Sequence, residues 1–241
     1  MIGTRFQPRQ IMFKKTMTPG VLAVALAATM LVGTATADAV LPTGLASGSE
    51  YQVLFVTSGG TTATSTNMLD YNNFVKQQAA QSPTLQALGA TWTAVASTES
   101  VDAMDNCPTY AAIPIYNTNG VLVASGSAQF WNQNLSSPPD YDQFGTNLGA
   151  IPVWTGFVGS DYLGNTFPPS GLDCPPVNIG LAASTSEWLN SSVASSVNNF
   201  GLYALSSPVT VTPEPASLTL LGSALLGLAG VIYLRRRRAK A

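Results

Sequence analysis

The stretch YQVLFVTS (Tyr51 to Ser58) is apolar, rich in β-branched and aromatic residues, and closed by Gly59 and Gly60. A run of that length bounded by a turn signal predicts a buried strand. Downstream, Asp70 to Ala80 sets Tyr71, Phe74 and Val75 at helical spacing. Ser82-Pro83 stops that helix, and Leu85 and Leu88 continue a second apolar face up to Gly89. Thr91 to Thr98 (TWTAVAST) alternates as a strand does, with Trp92 as its core anchor. In AIPIYNTNGVLVAS (Ala112 to Ser125), apolar positions flank Asn119-Gly120 on both sides, which predicts a hairpin. Beyond it the chain is loop-rich. A short strand ends at Trp154-Thr155-Gly156, a Gly, Pro and Asp loop runs to Cys174, and a last strand covers about Phe200 to Leu205. The pattern predicts one α+β domain of mixed strands, one or two helices and long loops.

The two ends are patterned differently. Ala216 to Leu234 is nineteen residues without a charge, roughly 28 Å as a helix and enough to cross a bilayer. Arg235, Arg236, Arg237 and Arg238 follow at once, the cationic stop of a segment whose C-terminal end stays in the cytoplasm. At the other end, Lys14 and Lys15 precede an apolar stretch from about Val21 to Val32 and then small residues. That is the layout of a secretory signal, with Met12 as an alternative start. Two A-x-A sites compete, one ending at Ala37 and one at Ala39; the boundary is placed after Ala39, giving a signal peptide over residues 1–39.

Both ends agree on export. Pro213-Glu214-Pro215, followed by the apolar run and the arginine cluster, resembles a PEP-CTERM sorting signal over about thirty residues. The resemblance implies a tail, residues 213–241, read by an exosortase and removed near Pro213-Glu214-Pro215 after transient anchoring in the inner membrane by a helix over 216–234. The prolines hold that segment extended, where an enzyme reaches it. The expected organisation is then an exported domain over 40–205, a linker over 206–212 and the tail, with the mature protein at the cell surface or in the extracellular matrix.

Without its ends the chain changes character. Between Val40 and Thr212 there are ten acidic residues against Lys76 alone, a balance of 1 − 10 = −9. An acidic domain repels polyanions, because nucleic-acid binding needs clustered Lys and Arg to displace counterions, so nucleic acid is excluded as a partner. The four tryptophans (Trp92, Trp131, Trp154 and Trp188) argue for a packed core. Cys107 and Cys174, in an exported domain, predict a disulfide.

The order of these elements resembles an endostatin-type variant of the C-type lectin-like fold. The features are an opening strand, a helix, a tryptophan strand followed by Ser-Thr, the hairpin IPIYNTNGVLVAS, VWTG with a glycine-rich loop to a cysteine, and a closing LYALS strand. The resemblance implies an α+β domain whose second half is long irregular loops. The family's usual disulfide set needs more cysteines than this chain has, so at most one bridge is expected.

Candidate chemistry is limited by a single count: the chain has no histidine. That removes the Ser-His-Asp triad, a Cys-His pair and the usual zinc sites. Asp102 with Asp105, or Asp140 with Asp142, nominally form a carboxylate pair for glycoside hydrolysis, but they read as solvated loop acids. Asp140 and Asp142, and Asp161 with Asn165, offer hard oxygen ligands for a structural calcium ion, though in no EF-hand spacing. No other cofactor is expected. Trp131 and Tyr141, placed in loops, are the candidate stacking surfaces for a sugar, with Asp140 and Asp142 alongside to bond hydroxyls; Trp154 and Tyr162 are secondary candidates. The expectation is a non-catalytic module binding extracellular polysaccharide or matrix, processed by signal peptidase and exosortase. The alternatives are a purely structural envelope component and a carboxylate-dependent polysaccharide hydrolase.

Overall fold

The computed structural model describes residues 38–157 and 171–212. The signal segment up to residue 37, the loop 158–170 with Asp161, Tyr162 and Asn165, and the tail from Pro213, with its proposed span and Arg235 to Arg238, lie outside the described residues.

The element order is β1 (Glu50–Val56), α1 (Met68–Ala79), α2 (Pro83–Ala87), β2 (Trp92–Ala94), α3 (Ala103–Asn106), β3 (Ile115–Asn117), β4 (Leu122–Ala124), α4 (Ser127–Trp131), β5 (Pro152–Trp154), β6 (Val177–Leu181), β7 (Ser192–Ala194), β8 (Gly201–Ser206) and β9 (Val209–Thr210). The strands form one mixed sheet in the order β4-β3-β1-β8-β5-β6-β7, with β2 also paired to β8 and β9 to β1. This is the mixed α/β class that the hydrophobic pattern predicts, with one large sheet and few helices.

The first and last long strands form its centre. β1 lies antiparallel to β8, with Leu54 opposite Leu205 and Val56 opposite Tyr203. On its other edge β1 runs parallel to β3, Gln52 opposite Ile115. Every residue of β8 is buried, as is every residue of β1 after Glu50, so the continuous apolar run of β1 records cover on both faces.

Side-chain alternation sorts these strands into two cores. Tyr51, Val53 and Phe55 of β1, with Leu202 and Ala204 of β8, point toward α1 and α2 and meet Met68, Tyr71, Val75 and Leu85. Leu54, Val56, Tyr203 and Leu205 point the other way, onto Phe130, Trp131, Trp188 and Leu189. α1 presents Met68, Tyr71, Val75 and Ala79 as one buried stripe. Asn67 caps its start, Asp70 sits in its first turn and Lys76 in its last, in line with the helix dipole. Ser82 caps α2, with Pro83 in its first turn, so the predicted stop is also a start. The hairpin forms as predicted: β3 pairs with β4, and the turn closes through Gly120 at a φ of +73°, a conformation glycine adopts freely.

Two boundaries move. The segment expected to be a linker, 206–212, belongs to the domain: Ser206 ends β8, and β9 pairs with β1, Tyr51 opposite Val209 and Glu50 opposite Thr210. One extra residue interrupts the pairing between β8 and β9. The Ser206 hydroxyl bridges the gap by accepting from the Val53 amide at 2.8 Å, and its carbonyl accepts from Gln52 Nε2 at 2.7 Å. At the other end the domain begins before residue 40, because Ala39 is only 8 % exposed and lies in the first core.

Candidate functional site

Trp131 closes α4 and is 2 % exposed; its ring packs edge-on to Phe130 at 4.9 Å, and its Nε1 donates to Thr109 Oγ1 at 2.8 Å. The expectation of a loop tryptophan open to stacking is therefore corrected: the five-residue helix turns this ring into the second core. Trp154 is likewise enclosed, donating from Nε1 to the Thr61 carbonyl at 2.8 Å.

The three remaining candidates share one turn. Tyr141 is half-buried, and its carbonyl accepts from the Val56 amide at 2.8 Å, which docks the turn on the end of β1. Asp142 is 4 % exposed, and its Oδ1 accepts from the amides of Phe144 and Thr146 at 2.9 and 2.8 Å. Asp140 is 8 % exposed, and its Oδ2 accepts from Asn147 Nδ2 at 2.8 Å. Both carboxylates hold the turn's own backbone and side chains, the usual work of an aspartate in a tight turn. Asp102 and Asp105 lie exposed at the start of α3, and Asp102 makes no capping hydrogen bond there. Among the described residues no group of three or more acidic, cysteine or histidine side chains gathers to hold a metal.

The Cys107–Cys174 disulfide is also corrected, since both cysteines are free. Cys107 Sγ faces inward, donating to the Ala94 carbonyl at 3.0 Å and lying 3.3 Å from Thr93 Oγ1. Burial pushes this thiol up to about 12, with the Thr93 hydrogen bond opposing weakly. A thiol so shielded is neither a nucleophile nor a redox group.

A polar cluster that the sequence pattern does not announce sits just past β1. Gln143 is fully buried; its Oε1 accepts from the Ser58 amide at 3.0 Å and its Nε2 donates to Ser58 Oγ at 2.7 Å. Gln78 Oε1 accepts from the Gly59 amide at 3.1 Å. These neutral groups lock α1, the Asp142 turn and the end of β1 together, and none of them titrates. The only sequence sign of the cluster is the Ser-Gly-Gly that follows the first strand.

Among the described residues a further feature lies at the C-terminal edge of the domain. The Val211 amide donates to the Ser49 carbonyl at 2.8 Å, and the Gly48 amide donates to the Val211 carbonyl at 2.8 Å. A groove of about 510 Å³ beside this pair is lined by Leu45, Ser49, Glu50, Ile113, Pro114 and Thr210 among others. The domain therefore grips the chain up to Val211, two residues before Pro213.

Residues 211–238 match the family model of the PEP-CTERM protein-sorting motif. No curated protein sequence matches the chain. The motif begins on Val211, the last of the described residues held to the domain by backbone hydrogen bonds, and the chain carries the C-terminal sorting signal of an exported protein processed by an exosortase.

Proposed function

We propose that this is an exported bacterial surface or extracellular-matrix protein whose domain is a non-catalytic interaction module for glycan or matrix. The observation that carries the reading is the sorting motif over 211–238, whose first residue, Val211, is hydrogen-bonded to a folded domain. A non-catalytic role is supported by the absence of histidine from the chain and by the commitment of Asp140 and Asp142 to turn hydrogen bonds. What supports the lectin-like reading is element order: β1, α1, the Trp92 strand, the β3-β4 hairpin and the closing strand β8 beside β1. With Trp131 enclosed, Tyr141 is the aromatic candidate contact that remains among the described residues, near exposed Thr146 and Asn147.

The sorting half of the proposal is tested by the intact mass of the protein from its native cells, set against the same gene expressed without an exosortase. Loss of the tail only in native cells is expected. Retention in both makes the segment a permanent anchor and overturns the sorting role. The binding half is tested on a glycan array, with and without calcium, using the exported protein and its Tyr141→Ala variant. A hit that Tyr141→Ala abolishes supports recognition at this turn.

A second reading, a purely structural envelope component, is favoured by the burial of Trp131 and the internal use of both turn carboxylates. An array without hits selects it. Turnover of a polysaccharide, lost on changing Asp140 or Asp142, would instead establish the hydrolase.

A further inference from the structure

Two signal-peptidase bonds compete in the sequence, Ala37–Asp38 and Ala39–Val40, and the fold holds each of Asp38, Ala39 and Val40. Asp38 Oδ1 accepts from Ser82 Oγ at 2.7 Å and from the Ala39 amide at 2.8 Å, and its Oδ2 accepts from Thr84 Oγ1 at 2.5 Å. Ser82 is the residue that caps α2, so this carboxylate sits beside the start of that helix. Ala39 is buried in the first core among residues from β1, α1 and α2. The Val40 amide donates to the Thr118 carbonyl at 2.6 Å, and Val40 bridges to Asn119 beside the hairpin turn. A cut after Ala39 discards the carboxylate and the buried methyl.

We propose that signal peptidase cuts the Ala37–Asp38 bond, and that the mature N-terminus is Asp38, whose carboxylate latches the start of α2. The proposal rests on the export reading. The cut consumes one water molecule: its oxygen ends in the new carboxylate of Ala37, and the Asp38 nitrogen becomes an α-ammonium. Partial burial raises the Asp38 pKa, but the hydrogen bonds from Thr84, Ser82 and the Ala39 amide outweigh it, and the carboxyl ends below its ordinary 3.8. The latch is therefore charged at neutral pH.

The test uses the full chain, expressed in a bacterial host that has signal peptidase and lacks exosortase, with the N-terminal peptide of the membrane-extracted product read by mass spectrometry. Asp38 as the first residue is the expected result. A product beginning at Val40 overturns the proposal. A chain that still carries Met1 or Met12 at its start overturns the export reading, and the proposal with it. Thr84→Val then isolates the latch without touching the peptidase site. The same N-terminus and a thermal midpoint lower by about 2–4 °C are expected for a domain of this size. An unchanged midpoint removes the latch.

Discussion

Cys107 and Tyr203 both carry titratable groups into places without water. For Cys107 the folded pKa of about 12 lies above the ordinary 9.0 because burial disfavours the thiolate. The neutral thiol's contribution to stability is complete below pH 9 and is lost as the pH rises toward 12. In the native protein at pH 8, iodoacetamide should label the half-buried Cys174 and spare Cys107, both reacting after unfolding; a reductant should leave the midpoint unchanged. A mass two hydrogens short in the purified protein would mean a bridge instead. Tyr203 is pushed well above its ordinary 10.0, by burial first and by the charge of Asp140 second. Among the described residues its hydroxyl has no hydrogen-bond partner, and an unpaired buried hydroxyl costs about 1–3 kcal/mol. Tyr203→Phe is therefore expected to hold or raise the stability, by up to about 1 kcal/mol in denaturant titration, whereas most core changes lower it.

Among the elements, the tightest of the described glycines lies where β6 passes under the chain leading to Leu189. A Cβ on Gly180 would stand 1.6 Å from the Trp188 carbonyl oxygen, a backbone atom that cannot swing aside. Gly180→Ala should cost about 3 kcal/mol or more, among the larger effects of single substitutions, read as a drop in the urea midpoint. The same strand shows why part of the fold is illegible in the sequence. β1, α1, β2, the hairpin and β8 announce themselves, because a period of 2 or 3.6 persists long enough to be counted. VNIGL has its period broken by the Gly180 that packing demands, and SAQFW is too short to reveal a helical face, which leaves Trp131 looking like a loop residue. β9, only two residues long, exists because Ser206 bridges the interruption before it. At the candidate site, Tyr141, Asp140 and Asp142 are brought into one turn as their spacing suggests. Their roles, however, depend on which amides fold back onto them, and no spacing rule contains that. The pairing of two cysteines far apart in sequence is equally a matter of three-dimensional distance.

For the molecule as a whole, charge is the dominant unbalanced term. Ten carboxylates and one lysine between Val40 and Thr212 repel one another, and salt screens such repulsion over a Debye length of about 10 Å at 0.1 M. Raising sodium chloride from about 0.01 to 0.5 M, across which that length shrinks several-fold, should raise the thermal midpoint of the exported domain. A midpoint that falls would mean that favourable charge pairs outweigh the repulsion.

The hydrogen bonds that tie Val211 to Gly48 and Ser49 also set a height. For a span beginning at Ala216, only four residues, Thr212 to Pro215, separate the last gripped position from the bilayer, at most about 17 Å of extended chain. On the proposed sorting, a domain moored that closely stays beside the membrane. Until the tail is cut, it meets its neighbours only edge to edge, as tiles meet on a floor. Release by the exosortase changes the dimensionality of those encounters from two to three.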